Sequence, residues 1–107
     1  MVGQRILVAA CMALATTSAY AVEGDPDAAA DKLSMCQGCH GIVGYRTAFP
    51  EVYPVPKLGG QHAEYLVKAL NAYRDGTRSH PSMQAIASSL SDQDIADLAA
   101  YYAKTER

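Results

Sequence analysis

Cys36, Cys39 and His40 stand in the run Met35-Cys36-Gln37-Gly38-Cys39-His40-Gly41, two thiols three positions apart with an imidazole directly after the second. Residues of these types at this spacing suit metal coordination, dithiol redox exchange or attachment of a cofactor. A structural zinc ion wants four protein ligands. Beyond this run, residues 22–107 hold only His62 and His80 as further histidines and no further cysteine. A thioredoxin-like pair wants a βαβ setting. A disulfide across so short a loop constrains the unfolded chain little and leaves the histidine without a part. The reading that uses every residue is covalent haem: the thiols add to the two vinyl groups, and the histidine ligates the iron.

The compartment bears on that reading. Arg5, the apolar run 6–15 and Ala19-Tyr20-Ala21 have the three regions of a secretory leader cleaved after Ala21. The run is half the length a membrane span needs. Cys11 has too short a hydrophobic stretch before it for a lipoprotein cleavage box. We therefore expect a leader, residues 1–21, and one small domain, residues 22–107. So short a chain buries a modest core and gains from a cofactor that fills its interior, the more so with no Trp and a single Phe. Residues 22–107 carry eight Lys and Arg against eleven Asp and Glu, a net charge of −3 that gives no footing for nucleic acid. The charge is uneven: residues 41–81 hold five bases against three acids, between two acidic ends.

The elements that must position the motif read as helices. Asp25-Pro26 has the form of a helix start, and Ala29, Leu33 and Cys36 follow at helical spacing. Residues 41–60 lack helical periodicity, and Pro50, Pro54 and Pro56 exclude a helix there. Residues 61–75 carry the stripe Leu66, Ala69, Leu70, Tyr73 and end at Gly76. Residues 82–90 place Met83, Ile86, Ala87 and Leu90 on one face. Ser91 and Asp94 resemble a capping box that opens a last helix with the stripe Ile95, Leu98, Ala99, Tyr102. No segment alternates as a strand does. The fold class is all-α, with about four helical segments around a long middle loop.

If His40 takes one face of the iron, Met83, His80 and His62 are the candidates for the other, Met35 being tethered beside Cys36. Met83 also suits a core stripe. With 43 residues from His40 in which to pass around a haem, and methionine the usual partner of histidine in cytochromes c, it is the favoured ligand. His80 is the runner-up, and His62 reads as a surface or capping residue.

The motifs CQGCHG, PKLGGQHAEYL, YRDGTR, a downstream methionine and LSDQDIADLAAYYA, in this order, resemble class I cytochromes c. They are most similar to the small periplasmic monohaem cytochromes of bacteria and to single halves of dihaem ones. The resemblance implies thioethers at Cys36 and Cys39, His40 as proximal ligand and Met83 as distal ligand. It implies that the carbonyl of Pro56 accepts from the second ring nitrogen of His40, that Leu58 packs on the haem, and that the first and last helices cross near Leu33 and Tyr101 or Tyr102. The stretch 44–54 departs from the family pattern.

The expected function is one-electron transfer in the periplasm by one covalently bound haem c, without catalysis of its own. The expected partners are redox proteins: a periplasmic or membrane-bound dehydrogenase, oxidase or reductase. Arg46, Lys57, Arg74 and Arg78 are the expected basic rim for weak docking. No stable membrane insertion is expected after leader cleavage. The alternatives are an electron-accepting subunit of a periplasmic dehydrogenase and, last, a gas-binding or peroxide-reducing iron.

Overall fold

The computed structural model describes residues 22–48 and 52–105. The expected leader lies outside the described residues. A short 3-10 helix, Ala28–Lys32, leads into α1, Ser34–His40. Two strands, β1 (Arg46–Thr47) and β2 (Tyr53–Pro54), pair antiparallel as a small hairpin. Three helices follow: α2, Ala63–Asp75; α3, Pro81–Ser88; and α4, Asp92–Lys104.

Local chemistry accounts for most boundaries. Gly76 at φ 85° closes α2 in the left-handed conformation that glycine adopts without steric cost. Ser91 and Asp94 cap α4 reciprocally: the Ser91 hydroxyl accepts from the Asp94 N–H, and the Asp94 carboxylate accepts from the Ser91 N–H.

Two expectations need correction. The first helix does not start at Pro26 and run unbroken. Asp25 spends its N–H on Asp97 and its carboxylate on the N–H of Asp27, two residues on, so it forms a turn rather than a helix cap. The chain then makes a 3-10 helix before α1, and it is this 3-10 helix that packs on α4. The middle loop also contains strands, each of two residues, too short to show alternation.

The core centres on Ile95 and Leu98 of α4, 1% and 2% exposed, with Ala29 and Leu90. Leu33, Cys36, Val67, Leu70 and Tyr101 close around them, so α4 is the common floor for the N-terminal helix and α2. Apolar burial of this kind stabilises by about 25 cal/mol per Å² removed from water.

Among the described residues one charged side chain, that of Asp97, is buried. Asp97, on α4, accepts from the Asp25 N–H (2.8 Å), from Gln93 Nε2 (2.8 Å) and from Lys32 Nζ (3.1 Å). Lys32 also meets Asp94. The Asp25 N–H, then Gln93 and Lys32, hold the Asp97 carboxyl below the usual carboxylate range. A depressed folded pKa means stability that is present above the unfolded carboxylate pKa of about 3.9 and is lost as pH falls through the lower folded value. Asp97→Asn is therefore expected to cost about 2 kcal/mol at neutral pH, through lost charge-assisted hydrogen bonds. The gap to the parent should narrow as pH falls below the unfolded carboxylate pKa of about 3.9. Chemical unfolding followed by circular dichroism across that range checks it; a gap independent of pH would rule out the charge as the cause.

Candidate functional site

α1 ends at the residue that matters. The Gly41 N–H donates to Gln37 O at 3.0 Å, and a Cβ on Gly41 would lie 2.7 Å from that same oxygen, so only glycine lets the chain turn this closely after His40. Within α1, the spacing of Cys36, Cys39 and His40 then brings all three to one cavity of about 350 Å³. Such a volume lies within the range of ligand-binding clefts.

The loop before α2 supplies Pro56 and Leu58 to the same cavity, α2 supplies Leu66 and Leu70, α3 supplies Met83 and Ile86, and α4 supplies Leu98 and Tyr102. That loop is tied down at both ends of its run. The Gly60 N–H donates to Tyr102 O at 2.9 Å, and Pro56 O lies 2.7 Å from His40 Nδ1. A carbonyl only accepts, so the proton of a neutral His40 ring is on Nδ1. The lone pair is then on Nε2, free for a metal ion.

Cys36 and Cys39 are both half-buried free thiols. Burial raises the Cys36 thiol above its ordinary value, while the Tyr102 hydroxyl acts in the opposite sense. A raised thiol is a poor thiolate nucleophile, which disfavours dithiol exchange. Among the described residues no group of three or more His, Cys, Asp or Glu side chains converges to hold a metal ion, which removes the zinc alternative there. Tyr102 is the oddity of the wall. Burial first, then the neighbouring Cys36 and Tyr101, push its phenol far above the usual range. Its buried oxygen faces the Cys36 thiol without a hydrogen bond of normal geometry to any described residue.

The other expected residues are distributed as follows. His80 lines the cavity and sits at the N-cap of α3, where its Nδ1 accepts from the Met83 N–H at 3.4 Å. His62 is the exposed N-cap of α2, with no capping bond from its side chain. Lys57 and Arg78 line the cavity, Arg78 stacking over the Tyr73 ring at 4.8 Å, and Arg46 is exposed on β1. Arg74 does not belong to a docking rim. Its guanidinium donates to Leu90 O, to Asn71 and to Asp92, so it staples α2 to the start of α4. Sequence reasoning missed Tyr53 and Tyr65 as cavity residues. Tyr53 lies in a stretch without periodicity, where nothing local points a side chain inward.

Few helices, a marginal hairpin and a wall bearing two thiols and a following histidine define a class: small all-α proteins that hold a haem through thioethers. The chain belongs to the cytochrome c family, whose sequence profile matches residues 28–106. It is 45% identical over 86 residues to cytochrome c-554(548) of Halomonas halodenitrificans, covering 78% of this chain and 99% of that protein. It is 38% identical to cytochrome c4 of Pseudomonas aeruginosa over 92% of this chain and 47% of that one. The fold is similar to the crystal structure of reduced recombinant cytochrome c4 from Pseudomonas stutzeri, with TM-score 0.56 and 31% identity, over 79% of this chain and 52% of that one. The chain thus spans about half the length of these c4 relatives. The family and fold expected from the sequence, a class I all-α cytochrome c, are the ones found. With the family come covalently bound haem c and electron transfer. No helix among the described residues is long and apolar enough to cross a membrane.

Proposed function

We propose that this chain is a one-electron carrier of the periplasm with a single haem c, joined through Cys36 and Cys39 and ligated by His40 and Met83. The hydrogen bond between His40 and Pro56 carries the reading, because it fixes the imidazole in the tautomer that presents Nε2 as a ligand. The residues fit the group in further respects: an apolar cavity, two free thiols in one wall, and a buried phenol oxygen on that wall without a partner among the described residues. When bound, haem supplies a ferric/ferrous couple; everything else is the work of the chain. Cys36 and Cys39 anchor, Pro56 orients His40, and Leu58, Leu66 and Leu98 keep water from the site.

A specific contact favours Met83 over His80 as the distal ligand. A neutral imidazole has one lone pair on its ring nitrogens, and His80 Nδ1 spends it on the Met83 N–H. Side chains held on both faces of the bound group would leave no open position for a substrate, which makes the protein a carrier rather than an enzyme. Export rests on the leader at residues 1–21 and on the oxidising setting that c-type cytochromes share. Redox proteins would dock through small interfaces below about 1,200 Å². Arg46, Lys57 and Arg78 remain as the basic rim.

The test is the ferric absorption spectrum. Sulfur on iron gives a weak far-red band, and Met83→Ala should abolish it and lower the reduction potential. A band that persists in the variant refutes Met83 as ligand.

A further inference from the structure

Within the stretch 44–54, which departs from the family pattern, β1 and β2 pair antiparallel, and the Tyr53 ring meets the His80 ring edge to face, centroids 5.1 Å apart at 71°. We propose that Tyr53 and His80 are positioning residues for Met83, and that the hairpin is a brace holding the distal ligand in place. The proposal rests on the reading of Met83 as that ligand.

Met83 is the third residue of α3, a helix of eight residues that has little stability by itself. Its first N–H groups have no partner within the helix. Pro81 removes one such donor, and His80 Nδ1 takes the N–H of Met83 itself. The side chain that fixes the start of α3 is thus bonded to the backbone of the residue that carries the thioether. A ring fixes a helix start only if it is held in turn. Tyr53 does this, worth the modest energy of an edge-to-face aromatic pair.

The hairpin holds Tyr53. Thr47 is paired opposite it, the Thr47 hydroxyl donates to Tyr53 O at 3.4 Å, and the Val55 N–H donates to Tyr45 O at 3.0 Å. Both rings line the same cavity as Met83. The chain of support runs from β1 through Tyr53 and His80 to the Met83 backbone, across two segments joined by no local sequence signal.

If the brace works, its loss leaves the fold intact and releases the sulfur more often. An external ligand competes for iron only in molecules whose Met83 is off, so its apparent affinity reports that fraction. The experiment titrates imidazole into ferric holoprotein, following the far-red band, alongside helix melting by circular dichroism. Tyr53→Leu and His80→Ala should each tighten apparent imidazole binding roughly five- to tenfold, the scale of a lost helix cap. His80→Asn, whose amide oxygen caps helices well, should return it to near the parent value. In that background Tyr53→Leu should add nothing, because there is no ring left to brace.

An equal effect of Tyr53→Leu in both backgrounds, or no effect in either, overturns the proposal while leaving Met83 as ligand. So does imidazole affinity that changes only in step with helix melting. A parent protein without the far-red band overturns the ligand reading and the brace with it. Should His80→Ala yield no holoprotein, the Tyr53→Leu and His80→Asn pair decides the matter alone.

Discussion

Protein with both Cys36 and Cys39 changed to serine is expected to give up essentially all of its haem to acidified organic solvent, whereas the parent keeps its colour on the polypeptide. A serine oxygen forms no thioether, so only non-covalent contacts would then hold the group, and acidified organic solvent disrupts those. Either single variant keeps one covalent bond and should remain coloured after extraction. The effect of the double change should exceed that of any single-site change in the chain. A tethered ligand meets its site at millimolar effective concentration or above, and the untethered one does not. Denaturing electrophoresis followed by a peroxidase stain for haem reads the result directly. Stain remaining on the double variant would show that Cys36 and Cys39 do not carry the attachment.

Leu98→Ala should be the most damaging change in the apolar core. Leu98 is 2% exposed, packs with Ile95, Leu90 and Ala29, and also forms part of the cavity wall. Truncation removes transfer energy and leaves a void that helices on two sides cannot close together. The expected loss is about 3 kcal/mol, with the melting midpoint falling on the order of 15 °C for a domain of this size. Leu33→Ala, at a half-buried position on the edge of the same cluster, should cost less than half as much. Comparable losses at the two positions would show that the core is not centred on α4.

The basis of these expectations was unequally legible along the chain. Ser91 and Asp94 lie three residues apart and satisfy one another's backbone, so their capping box is readable without any tertiary knowledge. The stripe from Ile95 to Tyr102 is legible for the same reason. Asp97 interrupts that stripe and has the polarity of a surface residue. It is buried because its partners at positions 25 and 32 come from the far end of the chain. Arg74 has the look of a docking charge. Asp92 and the Leu90 carbonyl, 18 and 16 residues on, make it a staple.

Sequence alone determined the haem-attachment motif, the helical class and the family, because each rests on residue types within a few positions of one another or in a fixed order. Tertiary structure decided which charges are internal, where the first helix breaks, and that an atypical hairpin reaches His80. Those outcomes depend on which distant segments compete for the same hydrogen bonds and apolar faces, and that competition has no signature in spacing.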